Sequence, residues 1–169
     1  IGKHLLEEQV DHVVFSYHGL PESNVKKADT EGVCKFGSCC EQITDKNRLC
    51  YRAQCVGTTK NVVAALGWSE DRYSMAFQSR FGRQAWIQPY LDDHLETLLS
   101  SGCKKIAVVT PSFVSDCLET IHEIGIEYRE EFMEGGGEVF QLVPNLNDEP
   151  VWFSSVYEIS QRYLRKNQE

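Results

Sequence analysis

The chain has 169 residues, of which 41% are hydrophobic and 25% are charged, and its formal net charge is −8 at pH 7. This size and composition are typical of one globular domain with its own core. The acidic balance argues against nucleic acid as a partner and is compatible with a metal ion. No apolar run is long enough to cross a bilayer, and nothing resembles a secretory leader. The first residue is Ile1 rather than Met, which suggests a fragment of a longer protein.

The predicted elements begin with the end of a helix at residues 3–10 and a buried strand at 13–17. Residues 22–48 are polar, show no sustained period and contain most of the cysteines. A structureless segment of this length inside a domain is either functional or held by something other than packing, so we treat it as an inserted cysteine-rich loop. A helix follows at 50–66 and Gly67 ends it. Its inner side carries Val56, Val62, Val63 and Leu66.

The rest of the chain alternates between strands and helices. Strands are predicted at residues 73–78, 106–109 and 139–142. Helices are predicted from Pro89 to about Ser101, from an N-cap at Asp116 to about Glu134, and from Glu149 or Pro150 onward. This order predicts a single α/β domain over residues 1–169, with a doubly wound, four-stranded parallel sheet covered by helices on both faces. No Gly-x-Gly-x-x-Gly follows a strand, so a dinucleotide cofactor has no support.

Three of the predicted strands end in residues suited to chemistry. Ser-Tyr-His-Gly, with His18, follows the first strand, a segment rich in arginine and aromatic residues at 78–86 follows the second, and an acidic segment at 111–119 follows the third. The carboxyl ends of parallel strands meet at one edge of a sheet, where open α/β folds bind their ligands. We therefore expect these three segments to form one cleft.

The helix after Asp116 carries Glu119, Glu123 and Glu127 at a spacing of four residues. This spacing places the three carboxylates on one face. The face is either an ordinary solvated surface or a line of carboxylates that accepts protons or passes a divalent cation. His94 and His122 are interpreted as helix-surface residues without a role.

Five of the seven cysteines fall in one short window: Cys34, Cys39, Cys40, Cys50 and Cys55. Without a secretory leader, such a group is more typical of a metal or cluster site than of disulfides. The spacing matches neither a zinc ribbon nor a ferredoxin. We expect four of the five thiolates to bind Zn²⁺ or a [2Fe–2S] cluster, and the residues do not choose between the two.

Three motifs carry a family resemblance. They are Ser-Tyr-His-Gly-Leu-Pro at 16–21, Phe-Gln-Ser-Arg-Phe-Gly-Arg at 77–83 with Trp86 and Pro89, and Phe-Val-Ser-Asp-Cys-Leu-Glu-Thr at 113–120. In this order they resemble the ferrochelatase family, over about residues 12–164. The resemblance covers only the C-terminal half of that two-domain enzyme, so an N-terminal domain of the same enzyme is implied as the missing partner.

The resemblance implies a lyase of heme biosynthesis that inserts Fe²⁺ into protoporphyrin IX to form protoheme. It assigns proton acceptance to His18 and the opposing carboxylate to Glu119. The path of the Fe²⁺ substrate is implied to run along His18, Glu119, Glu123 and Glu127, with the glutamates on a π-bulged helix. Cys117 stands where some members have histidine, so a role of that histidine does not transfer. Residues implied to line or support the porphyrin pocket are Tyr17, Ser79, Arg80, Trp86, Phe113 and Asp116.

The resemblance also implies a [2Fe–2S] cluster in the internal cysteine group, because some family members carry one, with Cys55 as the doubtful ligand. We expect a cytoplasmic protein, with peripheral contact at the inner membrane left open, and an isolated fragment that is inactive. Two alternatives remain. One is a chelatase for another tetrapyrrole, and the other is a non-enzymatic module that binds metal or senses redox state through its cysteine loop.

Overall fold

The computed structural model of the chain describes residues 10–166, so all but the last residue of the helix predicted at 3–10 lies outside the described part. The strands are β1 (His12–His18), β2 (Tyr73–Gln78), β3 (Lys105–Val109) and β4 (Val139–Leu142). The α-helices are α1 (Glu22–Ala28), α2 (Tyr51–Leu66), α3 (Leu91–Ser100), α4 (Arg129–Glu134) and α5 (Pro150–Lys166), and a π-helix at Glu119–Tyr128 runs directly into α4. Within residues 10–166, no helix is long and apolar enough to span a bilayer.

The four strands form one parallel sheet in the order β2-β1-β3-β4. Side chains alternate across β1, so that Val13 and Phe15 pack against α2 on one face while Val14 packs against α3 and the π-helix on the other. All three are fully buried, which explains why β1 reads as a continuous apolar run. The predicted doubly wound α/β fold is confirmed, with the strand ends of β1 and β2 adjacent.

Three local predictions are wrong. The cysteine-rich segment is not structureless throughout, because its first part forms the short helix α1, in which only Val25 is buried. Helix α3 begins at Leu91, two residues after Pro89. Asp116 is not the N-cap, because the π-helix begins at Glu119 with Leu118 before it. The carboxylate of Asp116 instead accepts hydrogen bonds from the side chains of Asn145 and Asn147.

Helix α2 ends as predicted, at Gly67 in the left-handed conformation (φ 68°). Val56 and Val63 are buried on its inner side as expected, whereas Val62 and Leu66 are half-buried. Sequence periodicity missed the buried polar and small residues of the same face: Ala53, Cys55 and Thr59. Two of these, Cys55 and Thr59, contact tyrosines near the sheet edge described below.

At the amino end of the sheet, two histidines share one serine. His12 Nε2 lies 2.8 Å and His94 Nε2 lies 2.7 Å from Ser74 Oγ, and His12 Nδ1 lies 3.2 Å from the carbonyl oxygen of Asp71. A carbonyl only accepts, so Nδ1 of His12 carries the proton and its Nε2 accepts from the hydroxyl, which in turn accepts from His94. His94 is therefore a half-buried bonded residue rather than the free surface residue predicted.

This arrangement predicts a loss of stability in acid. Burial lowers the pKa of His12, against the opposing effect of Asp71, and burial together with His12 lowers the pKa of His94. As the pH falls, both histidines bind protons in the unfolded chain at a higher pH than in the folded protein. Their contribution to the free energy of unfolding is therefore complete above about pH 6.5 and is lost as the pH drops through the folded pKa values. Urea unfolding between about pH 5 and 7.5 measures the slope, which His94→Gln reduces and His12→Gln/His94→Gln removes. An unchanged slope in the double variant contradicts the prediction.

Candidate active site

The carboxyl edge of the sheet brings three loops together around His18. His18 pairs with Gln78 in the register of β1 and β2. The imidazole lies between two aromatic rings, with ring centroids 6.4 Å from Trp86 and 6.1 Å from Phe113. The predicted convergence of these three segments is therefore present, with His18 at its centre.

Hydrogen bonds hold His18 on three sides. Its backbone N–H donates to Ser112 Oγ (3.1 Å), and its backbone carbonyl accepts from the hydroxyl of Tyr51 (2.8 Å). The ring Nδ1 lies 2.6 Å from the carbonyl oxygen of Gly19. Because that carbonyl only accepts, Nδ1 carries the proton, and a neutral imidazole keeps the lone pair on Nε2. His18 can therefore accept a proton at Nε2.

The wall beside His18 depends on Gly19. A Cβ at this residue would lie 2.9 Å from the carbonyl oxygen of Gln78 and 3.0 Å from Cε3 of Trp86. Trp86 is largely buried (8% exposed) and donates from Nε1 to the carbonyl of Phe81, whose own ring is exposed. Trp86 thus supports the imidazole from behind, while Phe81 faces solvent.

The predicted row of glutamates lies on the π-helix, where three carboxylates line one open depression of about 410 Å³. The other residues around it are Arg80, Leu118, His122, Tyr128 and Glu131. The carboxylate of Glu119 accepts from its own backbone N–H and from the thiol of Cys117, and these bonds lower its pKa, with a smaller lowering from His18. His18 does not line this depression, and its link to Glu119 is a weak electrostatic effect.

Glu123 differs from the other two glutamates because both its oxygens are occupied. Oε1 accepts from the backbone N–H of Ser79 (2.6 Å), and Oε2 accepts from the hydroxyl of Ser79 (2.7 Å) and the amide of Gln78 (3.2 Å). Ser79 has a left-handed backbone (φ 63°), which is unusual for a residue other than glycine. Glu123 therefore anchors the end of β2 to the π-helix, whereas Glu127 is exposed and pairs with His122 at 3.3 Å.

Gln78 is a site residue that sequence reasoning missed. It is 1% exposed, its Oε1 accepts from the buried hydroxyl of Ser16 (2.8 Å), and its Nε2 donates to the carbonyl oxygen of Glu119 (2.9 Å). A buried amide whose bonds join two walls fixes the distance between them. The one signal in the sequence was a polar residue at the end of an otherwise apolar strand.

The remaining predicted pocket residues lie in different environments. Arg80 forms an ion pair with Asp92 (2.7 Å) and stacks over Tyr90, so it is tied to α3 at the rim. Asp116 supports its loop through the two asparagines. Tyr17 was expected at the pocket but lies elsewhere. It is 3% exposed, its hydroxyl bonds to Thr59, and it lies within the core on the α2 face instead of in the cleft.

Two polar side chains organise the cysteine loop, and the buried Cys40 packs it against Ala53 and Val56 of α2. The carboxylate of Asp29 accepts from the backbone N–H groups of Val33 and Cys34. Asn47 donates to the carbonyls of Cys39 and Gln42. These bonds fold the loop around a cavity of about 280 Å³ that three thiol residues help to line: Cys34, Cys39 and Cys50.

The loop thiols partly fit a metal or cluster. Cys39 Sγ and Cys40 Sγ lie 3.6 Å apart, close to the spacing of about 3.8 Å that follows from tetrahedral metal–sulfur bonds of about 2.3 Å. Cys34 neighbours Cys39 and Cys50, and burial together with these thiols raises the pKa of Cys34 to about 11. Among residues 10–166, no three His, Cys, Asp or Glu side chains converge on a single metal position. Cys55 stands apart, since it is buried in the core beside α2.

The family model and the most similar relatives agree on one family. The ferrochelatase family model matches residues 1–164. The chain is 43% identical over 163 residues to a ferrochelatase of Ectopseudomonas mendocina, covering 95% of this chain and 48% of that protein. Identity is 45% over 150 residues to the Pseudomonas entomophila ferrochelatase (87% and 44% covered) and 41% over 166 residues to that of Coxiella burnetii (98% and 47% covered).

The chain spans about half the length of these relatives. Among solved structures, a CbiX protein of Marinobacter aquaeolei VT8 aligns over 92% of this chain and 98% of its own, with a TM-score of 0.48 and 11% identity, which is too distant to bear on function. The match over residues 1–164 and the identities above 40% to several ferrochelatases decide the assignment. The chain belongs to the ferrochelatase family.

Proposed function

We propose that the chain is the C-terminal half of a ferrochelatase and forms one wall of the cleft in which Fe²⁺ enters protoporphyrin IX to give protoheme. The observation that supports this most is the environment of His18, whose Nδ1 is bound to the carbonyl of Gly19 while Nε2 is left to accept a proton. The carboxylate of Glu119, on the π-helix, interacts with the same imidazole. A base and a carboxylate at one cleft suit a reaction in which protons leave as a cation enters.

The chemistry balances with these groups. Insertion breaks two pyrrole N–H bonds, joins the metal to the pyrrole nitrogens and releases two protons. In this proposal His18 Nε2 takes up protons from the macrocycle, and Glu119 with Glu127 offers oxygen atoms to the incoming metal substrate or to the departing protons. Glu123 holds Ser79 in place instead of serving as a free step on this path, because its oxygens are already bonded.

The test is a chelation assay on the full-length protein with matched substrate pairs. We expect iron insertion into protoporphyrin IX, which is measured by the change in absorption of the porphyrin. We expect little turnover of cobalt with sirohydrochlorin. The reverse preference would support the alternative chelatase instead. A separate assay of the 169-residue chain alone is expected to give no turnover, because the opposite wall of the cleft would be missing.

The cysteine loop forms a second part of the proposal. Cys34, Cys39, Cys40 and Cys50 would hold a [2Fe–2S] cluster, which supplies thiolate-bound iron that gains or loses an electron. Anaerobically purified protein is expected to absorb visible light and contain about two irons with matching sulfide per chain. Colourless protein with about one zinc per chain would instead favour the Zn²⁺ alternative. The matched control is Cys103→Ser, outside the loop, which leaves the metal content unchanged.

The non-enzymatic alternative makes a different prediction for the same loop. If the chain were a redox sensor, Cys39→Ser/Cys40→Ser would abolish its response to oxidation. The wild-type protein would then show no chelatase activity either. If the chain is part of a chelatase, the same variant loses the bound metal. Any loss of turnover is then an indirect effect of a change in the structure. A cytoplasmic location, with peripheral contact at the inner membrane as the alternative, is part of the proposal and is tested by fractionation.

A further inference from the structure

The backbone of His18 is bonded to the first residue of α2. Tyr51 opens this helix, and its hydroxyl donates to the carbonyl oxygen of His18 at 2.8 Å although the two residues lie 33 positions apart. The next residue in the chain, Gly19, donates its N–H to the carbonyl of Gln78 at 2.8 Å. The peptide between His18 and Gly19 is therefore held from both sides, by Tyr51 at its oxygen and by Gln78 at its nitrogen.

The same tyrosine lies against the cysteine loop. Cys50 immediately precedes Tyr51 and is the N-cap residue of α2. Cys34, Cys39, Cys50 and Tyr51 all line the loop cavity. The phenol also has Cys55 and Ser112 as polar neighbours, and Ser112 accepts the N–H of His18. One half-buried side chain thus lines the cavity of the loop thiols and also bonds to residues that orient the imidazole.

We propose that Tyr51 is a positioning residue that couples the cysteine loop to His18. Cys34, Cys39, Cys40 and Cys50 would hold the metal, and its binding would change the position of Cys50. Because Cys50 and Tyr51 are joined by one peptide, the phenol would move with Cys50. The hydroxyl then changes its bond to the His18 carbonyl and rotates the peptide plane, and the bond from Nδ1 to Gly19 follows. The coupling rests on the metal site proposed for the cysteine loop, and its regulatory meaning rests on the proposed chelatase function as well.

The experiment reads the imidazole directly. In full-length protein labelled with ¹³C at histidine Cε1, the His18 signal is assigned from its loss in His18→Gln and followed at one fixed pH with and without Zn²⁺ as the probe. We expect Zn²⁺ to shift this signal in the wild type. The shift is lost in Cys39→Ser/Cys40→Ser, because no metal is held by the loop, and it is lost in Tyr51→Phe although zinc still binds the thiols.

The matched control is Tyr73→Phe, a tyrosine packed against Phe15 and away from the cleft, which keeps the zinc-dependent shift. Thermal unfolding of both variants checks that removing one hydroxyl leaves the fold intact. An undiminished shift in Tyr51→Phe overturns the proposal. A shift that persists in Cys39→Ser/Cys40→Ser also overturns the proposal, because zinc is then bound at His18 itself. The absence of a shift in the wild type overturns it as well.

A kinetic measurement separates positioning from plain packing. In full-length Tyr51→Phe we expect kcat to fall by about 3- to 10-fold, the worth of one hydrogen bond, with little change in KM for the porphyrin. A rise in KM with unchanged kcat overturns the positioning role. Absence of chelation in the wild type refutes the proposed function alone, because the histidine signal is measured without turnover.

Discussion

Replacing His18 by alanine is expected to reduce iron insertion by about 100- to 10,000-fold in the full-length protein, which is the usual contribution of a positioned general base. The loss follows from the geometry, since no other imidazole within residues 10–166 lies between Trp86 and Phe113 at the sheet edge. Porphyrin binding is expected to change less than turnover, because the imidazole of His18 supplies only part of the wall of the cleft. Initial rates at saturating iron and porphyrin measure the effect.

The matched control for this variant is His94→Gln. His94 lies at the opposite end of the sheet, bonded to Ser74, and its replacement by another donor is expected to leave turnover near the wild-type value. Turnover in His18→Ala within about threefold of the wild type would remove His18 from the catalytic role, since a difference that small corresponds to less than 1 kcal/mol. Circular dichroism of both variants excludes unfolding as the cause.

The second large effect is expected in stability, from Gln78→Leu. The substitution keeps most of the side-chain volume and leaves the buried hydroxyl of Ser16 and the carbonyl of Glu119 without their partner. An unpaired buried polar group costs about 1–3 kcal/mol, so with two such groups the free energy of unfolding should fall by about 2–6 kcal/mol. Urea unfolding measures this loss, and turnover should fall with it because Glu119 is no longer held.

A double variant tests the cause of that loss. Ser16→Ala/Gln78→Leu removes one of the two unpaired groups together with its partner, and about 1 kcal/mol or more should return relative to Gln78→Leu alone. Gln84→Leu, in the exposed loop after β2, is the surface control and should change stability by less than about 0.5 kcal/mol. Equal stability of the single and double variants contradicts the role given to the buried amide.

Periodicity predicted the sheet well because it reports burial, and burial decides strands. The apolar runs of β1, β3 and β4 and the left-handed Gly67 are local features that need no tertiary information. The same alternation, applied further, would have placed Tyr17 correctly, since it shares a face with Val13 and Phe15. Helix α1 was missed because one buried valine in seven residues leaves no pattern to read.

The site was predictable only in part for a different reason. His18, Trp86 and Phe113 follow from the rule that strand ends meet at one edge. The bonds of Gln78 to Ser16 and Glu119, and of Tyr51 to His18, join residues 33 to 62 positions apart. Such pairs obey no sequence spacing, and they emerge only once the register of the strands and the start of α2 are known. A π-helix was expected here solely from the family resemblance.

The way the cysteine loop is held has a consequence for the order in which parts of the domain open. Asp29 and Asn47 close it with hydrogen bonds to the backbone, while the strands below are closed by buried apolar side chains. Regions held by few buried apolar contacts open at a lower free energy than the core. We therefore expect the amide protons of the loop to exchange faster than those of the sheet that carries His18.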